Sequence, residues 1–256
     1  MESVIEKLKE IQTGEVGISI YSESTREMIC SWNSGLIVPL ASAAKVGIGF
    51  CIAKWVEEEE INWNDLVEPI RFNPNEDSDE IYPHLQNRNS LMLRDAVEVM
   101  IACHDRFVAN AVVRFCGGWE KVNESIQSYF IHMNITEEPR DPDNLGKLSE
   151  MLELMRLIFH GYRNDPELWK PIINGLVRQR DEIEGIPARH LNHMTGGLEN
   201  VAVDIGILGD FSKEPILYVL GARNLLNRYK EKAADEKMHE AMRLLYEEYK
   251  YFSCEK

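Results

Sequence analysis

The chain has 256 residues, of which 44% are hydrophobic, and 28 Lys and Arg stand against 43 Asp and Glu for a formal net charge of −15. That length is enough for one large domain or two interleaved ones with a substantial core, and the acidic balance argues against nucleic acid, which needs a clustered basic surface. No run approaches the roughly 20 apolar residues that span a bilayer, so no membrane partner is expected, and five cysteines without CxxC spacing fit reduced thiols rather than structural zinc.

Residues 1–11 alternate charged and apolar residues at helical spacing and lack the apolar core and cleavage site of a secretory signal, which points to a cytoplasmic protein. Residues 14–21 and 27–32 are apolar runs separated by turn-forming residues 22–26, the pattern of a β-hairpin. A long apolar helix opens near Ser42, runs through Val46, Phe50 and Trp55, and ends in the acidic run Glu57 to Glu60. A polar, ordered crossing through residues 73–78 leads to helices over 91–103, 108–115 and 119–130, with Gly117 and Gly118 ending the second. Residues 137–143 form a loop and 145–162 a helix. Residues 201–208 and 215–220 are buried strands, and 227–251 a helix that lays one apolar stripe on a sheet.

Ser42-Ala-Ala-Lys45 puts a hydroxyl and an amine one helical turn apart, beside backbone N–H groups that a helix start leaves open. This is the pattern of a serine nucleophile with its own base, although Ser42 could also serve as an N-cap. The spacing recurs at Ser253–Lys256, where no pocket is plausible. His190 and His193 fall in a turn before a strand, with no third ligand to make a metal site, and no cofactor is implied.

In order along the chain, Pro39-Leu-Ala-Ser42 with Lys45, then Cys103-His-Asp-Arg-Phe-Val-Ala-Asn110, Gly185-Ile-Pro187, His193-Met-Thr-Gly-Gly197 and Val203-Asp-Ile205 resemble the class A β-lactamase and penicillin-recognising serine hydrolase family, whose signatures are SxxK, SDN and KTG. The resemblance covers nearly the whole chain. It implies an α/β (α+β) β-lactamase-like fold: an antiparallel sheet flanked by terminal helices (approximately 1–38 and 188–256), with an all-helical lobe (approximately 39–187) inserted. It also implies a cleft holding Ser42, Lys45, His104, Asp105 and Thr195, an oxyanion hole from the Ser42 and Gly197 N–H groups, and substrate contacts from Gly196.

The departures from the pattern are specific. His104 and Arg106 flank the retained Asp105 where serine and asparagine are expected, and Met194 replaces the lysine of the third motif. Met194 is expected to border solvent, so that a lysine there would be tolerated. His104 is either a proton shuttle or a helix-end histidine, and Arg106 either a carboxylate clamp or the partner of Asp105 or another acid. The loop that should carry the deacylating glutamate is shortened, leaving only Glu137 and Glu138 as substitutes. Two functions follow: a hydrolase acylated at Ser42 by an amide, ester or lactam but poor at deacylation, or an impaired relative that binds a small-molecule or peptide-like ligand. The sequence leaves the oligomeric state open.

Overall fold

A computed structural model of the chain describes residues 1–254, with side chains through Tyr251. The second SxxK spacing, at Ser253–Lys256, therefore reaches outside the described residues. In chain order the elements are α1 (Glu2–Lys9), β1 (Glu15–Ser22), β2 (Glu27–Trp32), β3 (Ile37–Pro39), a 3-10 turn (Ala41–Ala43), α2 (Ala44–Glu57), β4 (Leu66–Val67), α3 (Ser78–Ile81), β5 (Leu91–Met92) and α4 (Leu93–Ala102). There follow α5 (Arg106–Phe115), α6 (Trp119–Tyr129), β6 (Leu145–Lys147), α7 (Leu148–Asn164), α8 (Pro166–Val177), β7 (Leu191–Leu198), β8 (Val201–Leu208), β9 (Ile216–Arg223) and α9 (Ala233–Cys254). Among the described residues no helix is long and apolar enough to cross a membrane. The chain divides into two compact units, residues 1–43, 145–155 and 180–256, and residues 44–144 and 156–179.

The first unit is built on an antiparallel sheet of order β2-β1-β9-β8-β7. The inner strands are buried along almost their whole length, so their sequences read as unbroken apolar runs instead of alternating ones. Ile18, Ile20, Tyr218 and Leu220 of the sheet form one core with Val4 and Leu8 of α1 and Met238, Ala241, Met242 and Leu245 of α9. Each such fully buried aliphatic side chain contributes roughly 1.5–3 kcal/mol. Lys7 with Glu240 at 3.0 Å, Lys237 with Glu10 at 2.8 Å and the N-terminal ammonium with Glu248 at 2.8 Å tie α1 to α9. Residues 145–147, expected to begin a helix, instead pair with β3, and α7 starts only at Leu148, whose N–H donates to Leu36 O at 3.0 Å. The last helix begins at Ala233 and not at Asn227, because the Asn227 side chain accepts from Tyr229 N–H at 3.0 Å and holds a turn there.

The second unit is helical around α2, which is buried from Ala44 to Ala53 and again at Trp55. Apolar residues on every face mark a helix with no solvent side. Phe50 lies among Tyr129, Phe130 and Trp169, with ring centroids 5.2–5.8 Å away. Helix α8, not anticipated from the sequence, is capped by Asp165, whose carboxylate accepts from Leu168 N–H at 3.3 Å, and carries Pro171 and Gly175 inside it.

Candidate active site

Ser42, Met194, Thr195, Gly196 and Gly197 belong to the first unit; Lys45, His104, Asp105 and Arg106 belong to the second.

In the first unit Ser42 occupies the middle of the 3-10 turn that precedes α2, and Ala43 N–H closes the turn on Leu40 O at 2.9 Å. Strand β7 packs against this turn at Gly196. A Cβ at 196 would stand 2.6 Å from Leu40 O and 3.2 Å from Ala41 Cβ, so only glycine permits the approach. His193, expected in a turn before a strand, thus lies with Met194 to Gly197 in the edge strand itself. Beside it, Gly197 is exposed and the half-exposed Thr195 donates its hydroxyl proton to Asp181 Oδ2. Met194 does not border solvent: it is 0% exposed and pairs with Ile205 in the sheet.

The same strand carries a buried polar cluster that the sequence reading did not anticipate. His193 Nδ1 lies 2.9 Å from Asp204 Oδ1, and Tyr218 OH donates to the same oxygen at 2.8 Å. His193 Nε2 donates to the Asp181 carbonyl at 3.2 Å. Both ring nitrogens therefore face acceptors, which suits an imidazolium. Burial disfavours the charged ring, but Asp204 and the Asp181 carbonyl together outweigh it and raise the pKa. Burial likewise pushes the Tyr218 phenol well up, as does the adjacent Asp204.

In the second unit Lys45 sits in the first turn of α2 and is buried. Burial pushes its amine down to about 8; Glu76 and Asp105 oppose the shift, and Arg106 adds to it. Asp105 is the N-cap of α5, accepting from Phe107 N–H at 2.8 Å and Val108 N–H at 3.1 Å, while its other oxygen accepts from Asn73 N–H at 2.9 Å. Burial raises its pKa, against the pull of those three N–H groups and of Lys45. Glu76 is also raised, by burial first.

His104 holds a left-handed backbone, φ +53°, at the corner between α4 and α5. Its Nε2 lies 2.6 Å from Gln179 Oε1, and the Gln179 amide nitrogen donates to Ile101 O. That leaves the Gln179 oxygen to accept, so the His104 proton on Nε2 points at Gln179. Arg106 pairs with Glu138 at 2.8 Å, and Asn110 donates to Glu137 at 3.1 Å, so both loop glutamates engage the surface of α5. Among the described residues no group of three His, Cys, Asp or Glu could hold a metal, and His190 instead meets Tyr246 OH at 2.7 Å.

A family model described as the β-lactamase enzyme family matches residues 1–249. Among proteins of curated function none matches the chain. The structure is similar to that of PBP-A, with a TM-score of 0.80 and 16% identity over 98% of this chain and 96% of that one, in a mutant described as an acyl-enzyme complex with penicillin G. It is also similar to a β-lactamase from Chitinophaga pinensis, with a TM-score of 0.79 and 16% identity over 96% and 97% of the two chains. A β-lactamase from Sphaerobacter thermophilus gives a TM-score of 0.74 and 19% identity over 94% of each chain. At these identities the likeness is one of fold: the chain shares their mixed α/β architecture with an antiparallel sheet.

Proposed function

Since the chain belongs to the β-lactamase enzyme family, we propose that Ser42 is the nucleophile of a serine hydrolase that forms an acyl-enzyme with an amide, ester or lactam and clears it slowly. The observation that carries this reading is Lys45: three residues after Ser42, buried, with an amine held near 8 instead of 10.5. A lysine brought that far down has an appreciable free-base population at neutral pH, which an ordinary surface lysine lacks.

In the proposed reaction Ser42 Oγ attacks the substrate carbonyl while its proton passes to Lys45 Nζ. The backbone N–H groups of Ser42 and Gly197 stabilise the oxyanion, a role that needs no particular side chain. Collapse of the tetrahedral intermediate expels the leaving group, which takes the proton from Lys45 and leaves an ester on Ser42. The acyl-enzyme reported for the PBP-A mutant is the precedent for this step. Thr195 and Gly196 contact the substrate beside the reacting carbonyl. Asp105, fully engaged with three N–H groups, shapes the site through α5, and His104 holds the α4–α5 corner through Gln179 in preference to moving a proton.

Hydrolysis of the ester needs a base to activate water. Glu137 and Glu138 are the candidates in the shortened loop, and their bonds to Asn110 and Arg106 on α5 support slow deacylation. Mixing enzyme with an uncharged 4-nitrophenyl ester in a stopped-flow absorbance experiment should give a burst of nitrophenolate close to one per Ser42, then a steady rate slower by about a hundredfold or more. Sustained turnover that depends on Ser42 would refute slow clearance. A second reading, a ligand-binding relative without chemistry, is favoured by one observation, the loss of the third-motif lysine to a fully buried Met194. Absence of any burst would select it.

A further inference from the structure

We infer that Asp181 sets the charge preference of this site, making it selective for substrates that carry a cationic group, such as an ammonium, next to the reacting carbonyl, and hostile to those that carry a carboxylate there. The inference deepens the proposed function and rests on it for the position of the substrate beside Thr195.

Thr195 spends its hydroxyl proton on Asp181 Oδ2. It therefore has none to offer a substrate carboxylate, while its own oxygen remains an acceptor suited to an N–H donor. The neighbouring position that would supply a positive charge holds Met194, whose thioether is neutral and sealed from solvent. Asp181 itself is exposed, so its carboxylate is the charge that an incoming group beside Thr195 meets. Two unit charges in hydrogen-bonding proximity at a surface interact appreciably even in high dielectric.

This carboxylate is held from below. The Asp181 carbonyl accepts from His193 Nε2, and His193 is fixed by Asp204 on β8, which Tyr218 on β9 also holds. His193 is 1% exposed and faces Asp204 at 2.9 Å, so even when protonated it does not offset Asp181 at the surface. Arg228 places Nη1 2.9 Å from where a Gly197 Cβ would stand, but it pairs with Asp235 at 2.6 Å. The charged group in contact with Thr195 is thus a carboxylate, the reverse of what a lysine in the third motif would supply.

The test uses three 4-nitrophenyl esters whose acyl groups differ only in ending with an ammonium, a methyl or a carboxylate group, and the three corresponding non-reacting amides. Ser42 acylation by the ammonium ester should exceed that by the carboxylate ester about tenfold or more, a difference of about 1.4 kcal/mol. In Asp181→Asn, which can still accept the Thr195 proton, the ratio should fall to within about twofold of one. Melting temperatures of the wild type and the variant establish that both are folded. Ser42 acylation without charge preference, or with a preference untouched by Asp181→Asn, overturns the inference and leaves the proposed function standing. If no ester acylates Ser42, the proposed function fails. Calorimetric binding of the amides then decides the inference alone: tighter binding of the ammonium amide that vanishes in Asp181→Asn upholds it, and equal binding overturns it.

Discussion

If Lys45 is the base that activates Ser42, the pH dependence of acylation must report its displaced pKa. With an amine near 8, about a tenth of the molecules carry the free base at pH 7, against about one in three thousand at the ordinary value. Between pH 6 and pH 9 the free-base fraction then grows about 90-fold and levels off, whereas an ordinary lysine would gain about a thousandfold and still be rising. Single-turnover acylation by a neutral activated ester, followed by release of nitrophenolate with correction for its own ionisation, measures this directly. The profile should bend near 8 and be flat by about 9.5. Lys45→Ala should lose two to four orders of magnitude, the usual worth of a positioned general base. A rate that climbs without a bend past pH 10, or a Lys45→Ala variant within tenfold of wild type, would refute the assignment.

Other substitutions test separate links. Asp105→Ala removes the α5 cap and orphans Asn73 N–H, and should cost about 2–4 kcal/mol in denaturant unfolding, while Asp105→Asn should lose much less. Met194→Lys puts an ammonium into a fully buried position; it should destabilise by several kcal/mol and fail to speed acylation, and a stable, faster variant would show that this residue reaches the site after all. His193 has a raised pKa in the folded state, so its contribution to stability is complete below the unfolded value near 6.5 and is lost as pH rises through the folded value. His193→Gln should therefore be more destabilising at pH 5.5 than at pH 9; the opposite order would mean the ring is buried neutral.

The sheet and its flanking helices were legible because they repeat one physical demand, continuous burial for the inner strands and one apolar stripe for α9. Motif order then connected Ser42, Lys45 and the His193–Gly197 segment to a single family. What stayed hidden depended on partners distant in the chain. Gly196 and Gly197 have the composition of a turn, and only the proximity of Leu40 and Ala41 reveals that Gly196 makes room. Helix α8 was obscured by Pro171 and Gly175, both poor helix formers, although Asp165-Pro166 at its start is a cap signal. Burial of Met194 could not be read from a motif whose expected residue is charged. Asp204 did leave a trace, a lone carboxylate inside the apolar run of β8, since a buried acid needs a polar partner. Asp181 left none, since it is one more charge in the polar stretch of residues 178–182.

A nucleophilic Ser42 that releases its acyl group slowly is tested most directly by intact-mass spectrometry after exposure to an uncharged 4-nitrophenyl ester. The wild type should gain the mass of a single acyl group, persisting for many minutes after excess ester is removed, mapping to the peptide containing Ser42 and absent from Ser42→Ala. No adduct on a folded wild type, or an equal adduct on Ser42→Ala, would contradict it.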